Sequence, residues 1–165
     1  MQGLIGVISG VLLTELLLRI NRFKSLLNKN RWILGDILEI LFTRHGQTDW
    51  NNQGKIQGKT DIELNDKGKE QANITCSLLS EQKIDLIISS PLQRALQTAK
   101  VIAKKQNVPI IIDELLRERD YGEFEGHYFS EVDFSGIWYS GLKEPDGIEP
   151  LSDFCERIKT AFIKI

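Results

Sequence analysis

The sequence predicts an α/β protein in which a parallel-type sheet is covered by helices. From Asp36 onward, short β-rich apolar runs alternate with longer amphipathic segments, and there are no repeats or low-complexity stretches. The 165 residues, 27% of them charged, suit one domain with a real core.

Residues 1–35 read as a hydrophobic and basic extension preceding a domain over residues 36–165. "LIGVISGVLL" and "TELLLRI" are apolar around most of a helix, so an amino-terminal helix is expected. A membrane-spanning helix needs about 20 apolar residues, and this run is shorter and interrupted by Glu15. It has neither a basic start nor a clear small-residue cleavage site, which argues against a secretory signal. Arg19, Arg22, Lys24, Lys29 and Arg31 follow and would hold the remainder on the cytoplasmic side if the run inserted. A cytoplasmic protein is the expectation, with membrane contact through residues 3–20 as the alternative.

Within the domain, Ile37 to Phe42 reads as a short buried strand that ends abruptly in Arg44-His45-Gly46. Gly46 would let the backbone turn sharply where a side chain would obstruct it. "DKGKEQANITCSLLSEQ" is helical in pattern, capped by Asn65 or Asp66, with Ala72, Leu78 and Leu79 as its apolar positions. "IDLIISS" is a second strand. It leads into a helix over "SPLQRALQTAKVIAKKQ", where Ser90 can cap and Pro91 can sit at the first helical position. "VPIIID" is a third strand and "LSDFCERIKTAFIKI" a last amphipathic helix.

The net charge of -2 gives no basic footprint, so nucleic acid is not an expected partner. Cys76 and Cys155 form no C-x-x-C and suggest no disulfide framework, which makes a reducing compartment the default. Two histidines and no clustered cysteines argue against a zinc or iron site. Three strand ends deliver polar residues: Arg44 and His45 after the first, Arg94 after the second, Glu118 after the third. Parallel strands would bring all of them to one sheet edge, where open α/β sheets bind ligands. Two guanidiniums beside an imidazole suit a phosphate, whose oxygens accept planar bidentate donors. Their charge also disfavours imidazolium and so keeps His45 nucleophilic. A carboxyl in the same pocket supplies a proton for a departing alkoxide.

"TRHGQTDWN", "IQGKTDIELNDKGKEQA", "ISSPLQRALQTA", "LLRERDYGEFEG" and a weaker "PDGIEPLSDFCERI" occur in that order. Together they resemble the signatures of the histidine phosphatase superfamily, the phosphoglycerate-mutase-like three-layer fold, from about Leu38 to the end of the chain. The resemblance implies that His45 becomes phosphohistidine while Arg44, Asn51 and Arg94 bind the phosphoryl group. It matches Gln57 and Gly58 to a substrate-side loop and Glu118 to the proton donor, and implies no metal or organic cofactor. Trp50, Phe134 and Trp138 are expected to be packing or pocket walls. The segment from His127 to Gly147 is expected to line the substrate mouth.

Mutases of this superfamily carry a Phe-Thr-Gly-Trp type loop where this chain has "IQGKTD", and insert a long segment after the Glu-Arg-x-Tyr region. Both departures favour phosphoester hydrolysis of a small phosphorylated metabolite. Phosphoglycerate mutase-type transfer and a non-catalytic phosphate-ester binding module are the alternatives. The family pattern also includes a second histidine on a later strand. After His45 this chain has only His127, within "EFEGHYF", where the resemblance assigns it no such role. The chain therefore reads as truncated relative to its family, its fold incomplete at the carboxyl end, and impaired activity is expected. Neither the particular ester nor the oligomeric state is legible.

Overall fold

The computed structural model describes residues 40–133 and 147–164. Within them, helix α1 (Asp49–Gln53) and helix α2 (Asp66–Leu78) precede strand β1 (Ile87–Ser89). Helix α3 (Gln93–Gln106) then connects to strand β2 (Ile110–Ile112). Three short 3-10 turns at Glu114–Leu116, Gly122–Phe124 and Phe129–Glu131 follow, and helix α4 (Leu151–Ile163) closes the described chain. The two strands pair in parallel, with Ile87 opposite Ile110 and Ser89 opposite Ile112.

Alternation along β1 builds the layers. Ile87 joins Cys76, Ile84, Ala99, Ile102 and Ala103, the apolar faces of α2 and α3. Its neighbour Ile88 points the other way and packs with Leu116 and Ala161 beneath α4. A strand whose successive side chains are both buried must be covered on both faces, as its unbroken "IIS" composition suggests. A third cluster of Ile56, Tyr121 and Ile148 lies under the loops.

Four local expectations are corrected. The strand at Ile37 to Phe42 is not present over residues 40–42, and residues 37–39 lie outside those described. Apolar character sets burial, whereas a strand also needs a hydrogen-bonding neighbour. Ile40 packs on the Ile88 cluster, while Phe42 is half exposed against the Phe162 ring. The sheet among the described residues thus has two strands rather than three. Helix α3 starts at Gln93, so Pro91 precedes it, and its N-cap residue Leu92 offers no side-chain acceptor. Asp61, a distant residue, accepts from the Gln93 backbone N–H at 2.6 Å instead. Helix α2 is capped, as expected, by the Asn65 side chain, which accepts from the Gly68 N–H at 2.9 Å. Its buried face is Gly68, Ala72 and Cys76, a strict four-residue spacing that leaves Leu78 exposed.

Candidate active site

Helix α3 organises the site. Arg94 and Thr98 stand four residues apart on its buried face and reach different loops. Two of the five N–H donors of Arg94 go to backbone carbonyls, Nη1 to Thr60 and Nη2 to Gly58, each at 2.8 Å. Thr98 Oγ1 accepts from the Gly46 N–H at 3.2 Å and donates to the Arg94 carbonyl. One helical turn therefore fixes both the loop carrying His45 and the loop carrying Gln57 and Gly58.

His45 Nδ1 lies 2.5 Å from the Gly46 carbonyl oxygen. A carbonyl can only accept, so Nδ1 carries the proton and the ring's lone pair is on Nε2. Burial, and then the positive charges of Arg94 and Arg44, lower the pKa of His45 to about 3, against the opposing pull of the Gly46 carbonyl. The neutral ring expected from neighbouring arginines is thus present, with desolvation as its leading cause.

The glycine after His45 has a different reason from the one expected. Gly46 is not among the residues with positive φ. A Cβ there would lie 2.2 Å from the Gly68 carbonyl oxygen, and one on Gly68 would lie 2.0 Å from that of Gln47. Two glycines face each other so that the loop carrying His45 and the first turn of α2 can touch backbone to backbone. Gly58 does need its glycine for conformation, at φ +53°, and a Cβ would also collide with the Glu125 carboxylate.

Thr48 caps α1 and forms a reciprocal capping box with Asn51. Its hydroxyl also lies 2.5 Å from Gln57 Oε1, tying the two loops together. Since the Asn51 carboxamide oxygen accepts from the Thr48 N–H, an anion would meet its NH2 group. Glu125 braces the opposite wall, where its carboxylate accepts from the backbone N–H groups of Lys59, Thr60 and Tyr121 and from the Thr60 hydroxyl. That occupation separates it from Glu118, whose Oε1 accepts from the Arg119 N–H at 2.9 Å and whose side chain lines the cleft.

One cleft is lined by all seven residues singled out from the sequence: Arg44, His45, Asn51, Gln57, Gly58, Arg94 and Glu118. It also takes in Lys55 and Tyr121, which sequence reasoning passed over. Burial, and then the charge of Glu118, raise the pKa of the Tyr121 phenol, so it stays neutral. Thr48, Thr98 and Glu125 were passed over as well. Thr98 had a usable signal in its spacing from Arg94 and Thr48 one in its capping-box spacing from Asn51, whereas the partners of Glu125 are set by loop packing. His127 is exposed, its Nδ1 4.0 Å from Glu131, and it does not line the cleft. Phe129 does line it, whereas residues 134–146, including Phe134 and Trp138, lie outside those described. Trp50 is half buried beside Gly126, a packing position. Among the described residues there is no cluster of three or more metal-ligating side chains and no helix long and apolar enough to cross a membrane. The 3–20 segment lies outside them.

Comparison with known proteins follows the same residues. The family model for the histidine phosphatase superfamily (branch 1) matches residues 40–165. The chain is 46% identical over 142 residues to phosphoglycerate mutase-like protein 4 of Arabidopsis thaliana, covering 79% of this chain and 61% of that protein. It is 37% identical over 130 residues to the uncharacterized phosphatase PhoE of Bacillus subtilis, covering 76% and 63%. A solved mycobacterial glucosyl-3-phosphoglycerate phosphatase, in complex with VO3, superposes with a TM-score of 0.64 at 27% identity, covering 73% of this chain and 63% of that one. The chain thus spans about three fifths of the length of these relatives. With the family model matched over residues 40–165 and a superposable fold, the chain belongs to the histidine phosphatase superfamily.

Proposed function

We propose that the protein hydrolyses a small phosphomonoester through a phosphohistidine on His45. The observation that supports this most is the state of His45: neutral, with Nδ1 engaged by a carbonyl and its ring in a cleft shared with two guanidiniums. Relatives named as phosphatases support hydrolysis, while others carry mutase names. The preference for hydrolysis therefore rests on the "IQGKTD" loop standing where mutases carry Phe-Thr-Gly-Trp.

In this reading Arg44, Arg94 and the Asn51 NH2 hold the phosphoryl oxygens and offset their spread negative charge. Nε2 of His45 attacks phosphorus in line, so that an N–P bond forms as the ester P–O bond breaks. Glu118 gives its proton to the departing alkoxide. A water molecule then attacks the phosphohistidine, Glu118 takes its proton, and inorganic phosphate leaves with His45 regenerated.

The experiment is to incubate the protein with radiolabelled phenyl phosphate, quench, and look for acid-labile, alkali-stable label. His45→Ala should abolish both the label and any hydrolysis. Hydrolysis by His45→Ala at the parent rate would remove His45 from the reaction, and phosphate affinity without label would leave a binding module in place of an enzyme.

A further inference from the structure

Lys55 lines the same cleft as His45, yet no step above uses it. Its backbone is pinned, with its N–H donating to the Trp50 carbonyl at 2.9 Å and its residue bridged to Tyr128. Its ammonium sits 5.9 Å from the Trp50 ring centre and 5.3 Å from that of Tyr128. Among the described residues, no carboxylate lies within ion-pair distance of it. Lys59 makes the contrast, exposed and paired with Asp120 at 2.5 Å. Ring faces attract a cation through their quadrupole, so they localise the ammonium without neutralising it or consuming its hydrogen-bond donors. A positioned, unneutralised charge on a half-buried residue that lines a cleft is organised to receive an anion at its edge.

The cleft holds three cations: Arg44, Arg94 and Lys55. Arg94 is buried and tied to the nucleophile's surroundings, and Arg44 adjoins His45. Lys55 instead belongs to the segment bridged to Tyr128, next to Gly54, whose carbonyl accepts from the Phe129 N–H at 2.9 Å. We propose that Lys55 is a specificity-determining residue that binds a second anionic group on the alcohol part of the substrate. The substrate class is then a phosphomonoester that also carries a carboxylate or a second phosphate. This rests on the phosphoester reading of the cleft, but equilibrium binding tests it without turnover.

Three non-hydrolysable probes are titrated calorimetrically into the intact chain: benzylphosphonate, 3-carboxybenzylphosphonate and 1,3-bis(phosphonomethyl)benzene. At least one doubly anionic probe should bind about tenfold or more tighter than benzylphosphonate, the gain expected of one charge-assisted hydrogen bond. The probe with the larger gain identifies the second group. Lys55→Met should shrink that gain below about threefold, and Lys55→Arg, which keeps the charge, should retain most of it. Equal affinities in the parent, a gain that survives Lys55→Met, or no measurable binding of any probe would each overturn the proposal. Selective binding without label on His45 would sink the hydrolase reading and leave the Lys55 subsite standing.

Discussion

At the scale of a residue, His45 shows how one side chain gains its chemistry from several neighbours. Its carbonyl partner chooses the tautomer, and burial with two arginines keeps it neutral. The same shift makes stability depend on pH. Unfolded, the ring protonates near 6.5, whereas folded it does so only near 3. Between those values the unfolded chain binds more protons, so His45 makes stability rise with pH across this window. Its contribution is fully present above about pH 6.5 and is lost as pH falls toward 3, by at most about 1.4 kcal/mol per pH unit. Urea unfolding at pH 6.5 and 4.5 should therefore show a smaller drop for His45→Asn than for the parent, since carboxylate contributions are common to both. Equal drops would mean that His45 titrates normally in the folded protein.

At the scale of an element, the backbone contact between the His45 loop and α2 depends on having no side chain at either glycine. Gly68→Ala puts a methyl group where the Gln47 carbonyl oxygen now stands, 2.0 Å from the ideal Cβ position. Backbone must then shift, since no flexible side-chain end is there to yield. Alanine improves helix propensity by about 1 kcal/mol, yet overpacking against backbone costs about 1–3 kcal/mol. The net expectation is destabilisation, together with loosened phosphate binding, because Gln47 adjoins the cleft-forming residues. Thermal melting and phosphate titration of Gly68→Ala check this, and an unchanged or raised melting temperature with parent-like phosphate binding would contradict it. Asp61 makes a related point, since it closes the start of α3, which that helix's own N-cap residue leaves open.

At the scale of the whole molecule, one ionic knot joins α4 to the loop carrying Glu118. Arg157 meets both Glu149 carboxylate oxygens at 2.8 and 2.7 Å and donates to the carbonyls of Leu115 and Arg117. Glu149 in turn accepts from the Asp120 N–H, and its own carbonyl accepts from Arg119 Nε at 2.8 Å. Both ionic side chains are mostly buried, at 16% and 19% exposure, so this pair is screened far less than a surface bridge. Arg157→Ala should cost about 2–4 kcal/mol, because it strands a carboxylate and two carbonyls together. A double-mutant cycle with Glu149→Ala should give a coupling of about 1–3 kcal/mol. Coupling under about 0.5 kcal/mol would make the knot incidental, whereas the expected value would tie the placement of Glu118 to the seating of α4.

The chemical residues of this protein were legible because each stands in a short contiguous string whose chemistry is local. Arg44, His45, Arg94 and Glu118 can be picked out by type and strand-end position, Asn51, Gln57 and Gly58 only through the resemblance of their strings to the family's, and all seven line one cleft. The alternation of β1, α3 and β2 was legible for the same reason, since burial pattern and length are properties of a segment. What only the tertiary structure decided are the contacts between segments far apart in the chain. These include the Asp61 cap on α3, the facing glycines 46 and 68, the Glu125 brace and the Arg157 knot. Ile37 to Phe42 failed as a strand over residues 40–42 on the same ground, because pairing belongs to two segments and composition to one. Lys55 escaped notice because a lysine in "GKIQGK" reads as solvated until the rings of Trp50 and Tyr128 are seen near its ammonium.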